Sequence, residues 1–292
     1  MKKPNLFIVG APKCGTTSLA NWLAGHSSVF ISDPKEPEYW DFDRKKGWSS
    51  DINRYESYFD NADERHDIVC DASTAYLRSK VAVKHIVEYS PTAKFIVGLR
   101  NPVDLAYSWH GELLVEGCEN VRDFETAWNL QGCRLAGHEI PRFCPDSSNL
   151  LYGEVARLGA QLRSLKEHVH EDRLFVYTLD EMKKDPNALW CQLLGFLELT
   201  PSYVPDFEVA NRARSVPSWI SIGVRVVADT KRRIGFSKGL GILNGLARIS
   251  SRERRTVFPP SLRQKLTLHF REDLELLSEV SGKDLSGWEG KY

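Results

Sequence analysis

A lysine and two glycines lie between an apolar run and three hydroxyl residues near the start of the chain. Phe7-Ile8-Val9 is followed by Gly10, Lys13 and Gly15, and Thr16-Thr17-Ser18 comes directly after. Glycines let backbone N–H groups turn toward an anion, and a helix N-terminus adds about half a positive charge from its dipole. This order of residues predicts a strand, a phosphate-binding loop and a helix.

The spacing of the two glycines is that of a Walker A loop, but the lysine is placed differently. In the Walker pattern the lysine follows the second glycine and acts with Mg²⁺ around the β- and γ-phosphates. Here Thr16 follows Gly15, and Lys13 lies inside the loop, where it can reach the oxygens of a terminal group. The alternative for residues 10–18, which we call the cradle, is an ordinary turn between a strand and a helix.

A carboxylate follows the second predicted strand. Val29-Phe30-Ile31 runs directly into a polar segment that contains Lys35 and Glu36. In an open parallel sheet, residues just past the carboxyl ends of the strands line the ligand crevice, so Glu36 is expected there. A carboxylate in that place could act as a general base. The alternative is a surface carboxylate paired with Lys35.

A second stretch that could bind phosphate follows the predicted strand Lys94–Leu99. Pro102 suits the first turn of a helix and Asn101 can cap it, so the strand is expected to lead into a helix that carries Ser108. Arg100 stands at the end of the strand. Its planar guanidinium fork suits two oxygens of a phosphate monoester.

These two stretches resemble the nucleotide-binding motifs of the sulfotransferases that use 3′-phosphoadenosine 5′-phosphosulfate (PAPS), in particular the bacterial and heparan-type members. The first match is Pro12-Lys13-Cys14-Gly15-Thr16-Thr17-Ser18-Leu19, and the second runs from Arg100-Asn101-Pro102 to Ser108. The resemblance implies that Arg100 and Ser108 bind the 3′-phosphate. It also implies a 5′-phosphosulfate site made of Lys13, Cys14, Gly15, Thr16, Thr17 and Ser18.

The segment Lys35–Asp41 is similar to the one that supplies the catalytic glutamate in that family, which implies that Glu36 is the general base. Two positions depart from the family's pattern. Glu38 stands where the glycosaminoglycan 3-O-sulfotransferases commonly have histidine, and Ala72 stands where some members have lysine. A heparan-like acceptor is therefore less strongly implied than the donor.

The function expected from the resemblance is transfer of the sulfuryl group from PAPS to an acceptor hydroxyl, or an amine, with release of 3′,5′-ADP. Glu36 and Lys13 are the predicted catalytic residues, no metal is required, and the acceptor is a small molecule, a saccharide or a carrier-bound intermediate. A P-loop nucleoside or small-molecule kinase is an alternative, and a nucleotide-binding protein without turnover is another. A base such as Glu36 has no use in a pure binding protein.

Composition indicates a globular enzyme. The chain has 292 residues, 42% of them hydrophobic, and 39 basic residues balance 39 acidic ones, so no overall field favours nucleic acid as a partner. Six cysteines without a CxxC pair indicate reduced thiols. Because the first strand begins within about five residues and no apolar run approaches 20 residues, neither a signal peptide nor a membrane span is expected. We therefore predict a cytoplasmic protein.

The predicted architecture is one α/β domain of the P-loop type over residues 1–292, with a central parallel sheet flanked by helices. One long amphipathic helix is expected across residues 151–169, and a closing helix at about 261–280. Between them, residues 212–255 hold eleven basic residues against two acidic ones. This stretch is either a solvated helical face or a lid over a polyanionic cofactor, with Arg254 and Arg255 as candidate nucleotide contacts.

Overall fold

A five-stranded parallel sheet forms the centre of the fold. The computed structural model describes residues 2–44, 51–207 and 259–288, and within them the strand order is β2-β3-β1-β4-β5 with every neighbouring pair parallel. The strands are β1 (Leu6–Gly10), β2 (Val29–Ile31), β3 (Ile68–Asp71), β4 (Lys94–Leu99) and β5 (Leu174–Thr178). The predicted α/β class and parallel sheet are confirmed.

Helices follow the strands along the chain, as expected for crossover connections between parallel strands. They are α1 (Thr16–Ala24), α2 (Ile52–Ser57), α3 (Ala82–Tyr89), α4 (Pro102–Glu116), α5 (Phe124–Asn129), α6 (Gln131–Leu135), α7 (Tyr152–Ala156), α8 (Leu158–Lys166), α9 (Leu179–Lys184), α10 (Pro186–Leu197) and α11 (Pro260–Ser281). The closing helix is therefore confirmed as α11. Helix α10 begins at Pro186 with Asp185 as its cap.

The apolar runs of β1 and β4 form the centre of the sheet. Every residue of β1 is buried, and only Lys94 of β4 is partly exposed. Near-continuous apolar strands are typical of a parallel sheet that is covered on both faces. One core cluster packs β1 against α1 and α10, with side chains that include Leu6, Ile8, Leu19, Leu23, Trp190, Leu193 and Leu194. This packing fixes the position of β1, whose carboxyl end leads into the cradle.

The single long helix predicted across residues 151–169 is wrong. The chain forms two short helices there, α7 and α8, and breaks at Arg157, whose ψ of 69° is not helical. The break is held from α11, because both carboxylate oxygens of Asp273 accept backbone N–H groups, from Gly159 at 3.0 Å and Ala160 at 2.9 Å. The periodicity identified a buried face correctly, since Val155, Leu158 and Leu162 are fully buried. Periodicity does not, however, reveal a helix start whose N–H groups are bound by a residue far away in the chain.

The chain divides into two compact units. The first comprises Met1–Leu105, Ala156–Ala210 and Thr267–Lys291 and contains the sheet, and the second comprises Ala106–Val155, Asn211–Leu266 and Tyr292. The basic stretch 212–255, with Arg254 and Arg255, lies outside the described residues, and the extent of the predicted domain over 1–292 stays a prediction. In the described parts of the chain, every helix is too short or too polar to cross a bilayer.

Candidate active site

The cradle joins β1 to α1 through two residues in the left-handed region. Lys13 has a φ of 63° and Gly15 a φ of 84°, and α1 begins at Thr16 with Gly15 as its cap and no side-chain cap bond. Leu19 N–H donates to the Gly15 carbonyl at 3.0 Å, so the first turn of the helix is formed. A helix N-terminus without a side-chain cap is a binding place for an anion.

Glycine at position 15 is favoured by its backbone conformation and by a close neighbour. A left-handed φ is unfavourable for residues with a β-carbon, and a β-carbon at this position would lie 2.5 Å from the Met182 sulfur on α9. The cradle therefore rests directly on α9. The hydroxyl residues Thr16, Thr17 and Ser18 occupy the first turn of α1, where the sequence placed them.

The floor of the cradle is fixed by a tyrosine that the sequence analysis missed. Tyr177 on β5 donates its hydroxyl to the Cys14 carbonyl at 3.0 Å, and it reaches that carbonyl over Gly98, where a β-carbon would lie 2.6 Å from the tyrosine oxygen. A glycine inside an apolar strand often marks such a close approach. Gly98 within Phe95-Ile96-Val97-Gly98-Leu99 was therefore the available signal.

Cys14 supports the cradle from inside. The residue is fully buried, its Sγ contacts the Pro12 carbonyl at 3.4 Å, and burial raises the pKa of its thiol to about 12. The thiol is therefore protonated at neutral pH and is unsuited to nucleophilic chemistry. A direct contact of Cys14 with nucleotide stays a prediction.

Arg100, at the exit of β4, contacts the cradle. Its Nη1 donates to the Lys13 carbonyl at 3.0 Å. Asn101 forms the predicted helix cap, because its Oδ1 accepts from Val103 N–H at 3.0 Å, and its Nδ2 donates to the Trp288 carbonyl at 3.1 Å. A guanidinium carries five N–H donors, so Arg100 can support the cradle and still bind a phosphate.

Ser108 and His110 belong to the second unit. Ser108 is half-buried on α4, and its predicted role at the 3′-phosphate stays a prediction. His110 is buried, its Nε2 lies 2.8 Å from the Val121 carbonyl, and burial lowers its pKa. These contacts indicate a structural role for His110.

Glu36 lies on the loop that leaves β2, and the ion pair with Lys35 is present. Lys35 Nζ donates to Glu36 Oε1 at 2.8 Å, and the Glu36 side chain is 37% exposed. Ser32 holds the start of this loop, with its N–H on the Cys70 carbonyl of β3 and its hydroxyl on the Lys35 carbonyl. The pair leaves the carboxylate accessible at the carboxyl edge of the sheet, and the role of Glu36 as base stays a prediction.

A buried carboxylate at the end of β3 lies near Glu36. Asp71 is fully buried and accepts hydroxyl hydrogen bonds from Ser73 at 2.6 Å and from Tyr55 and Tyr76 at 2.9 Å. Its pKa is raised to about 7, mainly because burial disfavours the charged form; the three hydroxyls lower the pKa, and the negative charge of Glu36 raises it.

Comparison with known proteins identifies the family. The sequence profile described as "Sulfotransferase domain" matches residues 3–214, which is more than half of the chain. The chain belongs to the sulfotransferase domain family. Both stretches that are predicted to bind nucleotide and the Glu36 loop fall within the matched residues.

Curated relatives of this sulfotransferase domain are much longer proteins. A bifunctional heparan sulfate N-deacetylase/N-sulfotransferase 1 of Caenorhabditis briggsae is 24% identical over 248 residues, covering 81% of this chain and 26% of the relative. The protein of the same name from Xenopus tropicalis is 30% identical over 204 residues, covering 68% of this chain and 22% of the relative. The chain thus spans about a quarter of the length of these relatives.

Solved sulfotransferase structures share the fold. A sulfotransferase from Alicyclobacillus acidocaldarius superimposes with a TM-score of 0.75 at 23% identity, covering 99% of this chain and all of that one. A mouse sulfotransferase, SULT7A1, complexed with PAP gives a TM-score of 0.50 at 14% identity, covering 99% of this chain and 91% of that one. At these identities the likeness concerns the fold alone.

Proposed function

We propose that this sulfotransferase domain moves a sulfuryl group from PAPS to an acceptor on a saccharide and releases 3′,5′-ADP. The observation that carries the proposal is the cradle, in which an uncapped helix N-terminus, a mid-loop lysine and the arginine of the β4 exit come together. Membership of the family supports the sulfuryl chemistry. The names of the curated relatives, which are heparan sulfate N-sulfotransferases, support a saccharide acceptor.

The cradle suits the 5′ end of the nucleotide. Lys13 and the first turn of α1, with Thr16, Thr17 and Ser18, would hold the phosphosulfate and neutralise charge on the departing phosphate. In this transfer the acceptor atom forms a bond to sulfur while the bond from sulfur to the phosphate oxygen breaks, so negative charge accumulates on that oxygen. Positive groups already fixed in place stabilise such charge without reorganisation.

Glu36 would take the proton of the acceptor as its bond to sulfur forms. A hydroxyl attacks poorly unless its proton is removed, and a positioned base typically contributes about 10²- to 10⁴-fold. An amine acceptor would also have to be deprotonated, so the same carboxylate serves either acceptor.

The 3′-phosphate would be bound by Arg100, and the role that the resemblance implies for Ser108 stays a prediction. Arg100 also contacts the Lys13 carbonyl, so the residue proposed for the 3′-phosphate is bonded to the loop proposed for the 5′-phosphosulfate. A protein that recognises the 3′-phosphate should prefer 3′,5′-ADP to ATP.

Thermal unfolding with nucleotides tests the donor. We expect 3′,5′-ADP to raise the melting temperature without added metal, because a ligand at 100 times its Kd stabilises the folded state by about 2.7 kcal/mol. Adenosine 5′-monophosphate, which lacks the 3′-phosphate, is the matched control and should stabilise much less. Stabilisation by ATP with Mg²⁺ but not by 3′,5′-ADP would overturn the proposal in favour of a kinase.

Turnover with a defined acceptor tests the catalytic residues. N-desulfated heparin offers both amine and hydroxyl acceptors, and 2-naphthol is the non-saccharide comparison. Glu36→Gln should lower kcat by about 10²-fold or more with nucleotide affinity nearly unchanged, whereas Lys13→Ala should impair both. Glu64→Gln, a highly exposed carboxylate paired with Lys2, is the matched control. Transfer to 2-naphthol alone would refute the saccharide acceptor, and normal kcat in Glu36→Gln would refute the base.

A further inference from the structure

The loop that carries Glu36 is tied to the segment that follows β3 by hydrogen bonds from two of its backbone N–H groups. Glu38 N–H donates to the Ser73 hydroxyl at 2.9 Å, and Tyr39 N–H donates to the Tyr76 hydroxyl at 2.8 Å. Glu38 has a φ of 48°, a left-handed conformation that is uncommon for a residue with a β-carbon. Two bonds at and beside this residue hold the backbone in that conformation.

Both hydroxyls are oriented by Asp71. A hydroxyl has one proton to donate, and Ser73 donates it to Asp71 Oδ1 at 2.6 Å while Tyr76 donates to Oδ2 at 2.9 Å. Their lone pairs are therefore left for the N–H groups of the Glu36 loop. Without an acceptor at Asp71, either hydroxyl could rotate and lose its orientation toward the loop.

Asp71 is itself fixed in the sheet. It is the last residue of β3, it is in register with Phe7 of β1, and it is fully buried, as are Ser73 and Tyr76. The same sheet edge begins the cradle, three residues further along β1 at Gly10. A chain of hydrogen bonds thus runs from the central sheet through two hydroxyls to the backbone two and three residues past Glu36.

We propose that Ser73 and Tyr76, oriented by Asp71, are positioning residues that hold the Glu36 carboxylate at the place where the acceptor loses its proton. The inference rests on the proposed function of Glu36. Displacement of a reacting group by about 1 Å can cost on the order of 10²-fold in rate, so small movements of this loop should be visible in turnover. Neither residue is expected to touch the nucleotide.

Tyr55 supplies a matched control. Its hydroxyl donates to the same Asp71 oxygen at 2.9 Å, the length found for Tyr76. Among the described residues, however, no backbone N–H of the Glu36 loop donates to the Tyr55 hydroxyl. Tyr55→Phe and Tyr76→Phe therefore remove the same chemical group from the same carboxylate, and only Tyr76→Phe also removes a hydrogen bond to a backbone N–H of the loop.

The test compares kcat, nucleotide binding and amide exchange. With PAPS and N-desulfated heparin, Ser73→Ala and Tyr76→Phe should each lower kcat by about tenfold or more. Their Kd for 3′,5′-ADP should stay within about threefold of the wild type. Tyr55→Phe should keep kcat within about threefold of the wild type. Hydrogen exchange of the Glu38 and Tyr39 amides should speed up in the two loop variants and not in Tyr55→Phe.

A variant cycle with Glu36→Gln separates the possible failures. If Ser73 acts through Glu36, then Ser73→Ala should lower kcat little further in the Glu36→Gln background, since coupled residues are not additive. Two outcomes would overturn this inference and leave the proposed base intact. One is full additivity of the Ser73→Ala and Glu36→Gln effects on kcat, and the other is wild-type kcat in both loop variants while Glu36→Gln is impaired. Wild-type kcat in Glu36→Gln overturns the proposed base, and this inference with it. Unchanged amide exchange in both loop variants also overturns it.

Discussion

The buried carboxylate of Asp71 should make the stability of the protein depend on pH in a way that Asp71→Asn removes. The asparagine side chain keeps the shape and an acceptor oxygen but cannot ionise. In the wild type the pKa of Asp71 is raised from 3.8 to about 7, mainly by burial. The folded state therefore binds this proton more tightly than the unfolded state does.

The sign and size of the effect follow from that difference in pKa. Because the folded pKa is the higher one, the contribution of Asp71 is fully present below about pH 4 and is lost as the pH rises to about 7. A difference of about three pKa units corresponds to roughly 4 kcal/mol over the whole range, of which about 2 to 3 kcal/mol falls between pH 5 and pH 8. As the pH rises over that interval, the free energy of unfolding of the wild type should fall by this amount relative to that of Asp71→Asn.

Urea unfolding at pH 5, 6, 7 and 8 measures the effect, with tryptophan fluorescence and circular dichroism required to give the same midpoints. Asp63→Asn is the control. The exposed Asp63 has a pKa lowered to about 2 by its hydrogen bond to Arg65, so its contribution changes only under more acidic conditions and its curve should parallel the wild type here. Parallel curves for the wild type and Asp71→Asn would show that Asp71 keeps one protonation state across the interval and would refute the argument.

Three further changes have definite expected outcomes. Gly15→Ala should weaken 3′,5′-ADP binding by more than tenfold in a titration. A left-handed φ costs a residue with a β-carbon about 1 to 2 kcal/mol, and the new carbon meets Met182. The control is Gly111→Ala, whose new β-carbon has no neighbour within 4 Å, and this variant should bind normally. Arg100→Ala should weaken both PAPS and adenosine 5′-phosphosulfate by calorimetry, because Arg100 also bonds the Lys13 carbonyl; loss of PAPS affinity alone would confine its role to the 3′-phosphate. Arg134→Met should lower the free energy of unfolding in urea by about 3 to 5 kcal/mol, because it leaves the buried Glu119 carboxylate without its bidentate partner. The double variant Glu119→Leu/Arg134→Met should recover much of that loss.

The elements that carry the candidate site were predictable because each has a local signal. β1 and β4 are apolar runs, and the Asn101-Pro102 start of α4 is a cap that depends on neighbouring residues only. The position of Glu36 followed from the rule that parallel strands end at one edge of the sheet. These inferences needed no knowledge of which strands are neighbours.

The contacts that support the site were not predictable, because they join residues far apart in the sequence. Tyr177 lies 163 positions from Cys14, and the bond from Tyr76 to the loop depends on β2 and β3 being neighbours. The prediction of one helix across α7 and α8 failed for the same reason, since the Asp273 carboxylate that accepts the N–H groups at the start of α8 lies more than a hundred residues away. Local patterns fix an element's type, whereas these bonds follow from the packing.

The bonds beneath the cradle explain why it should bind an anion with little rearrangement. Two consecutive carbonyls are held by the protein, that of Lys13 by Arg100 and that of Cys14 by Tyr177, and Gly15 rests on Met182. Carbonyls that are bonded to Arg100 and Tyr177 cannot turn toward a ligand and repel its oxygens. Since a fixed dipole stabilises developing charge without a reorganisation cost, we expect Tyr177 and Arg100 to assist charge stabilisation in the cradle through these two bonds.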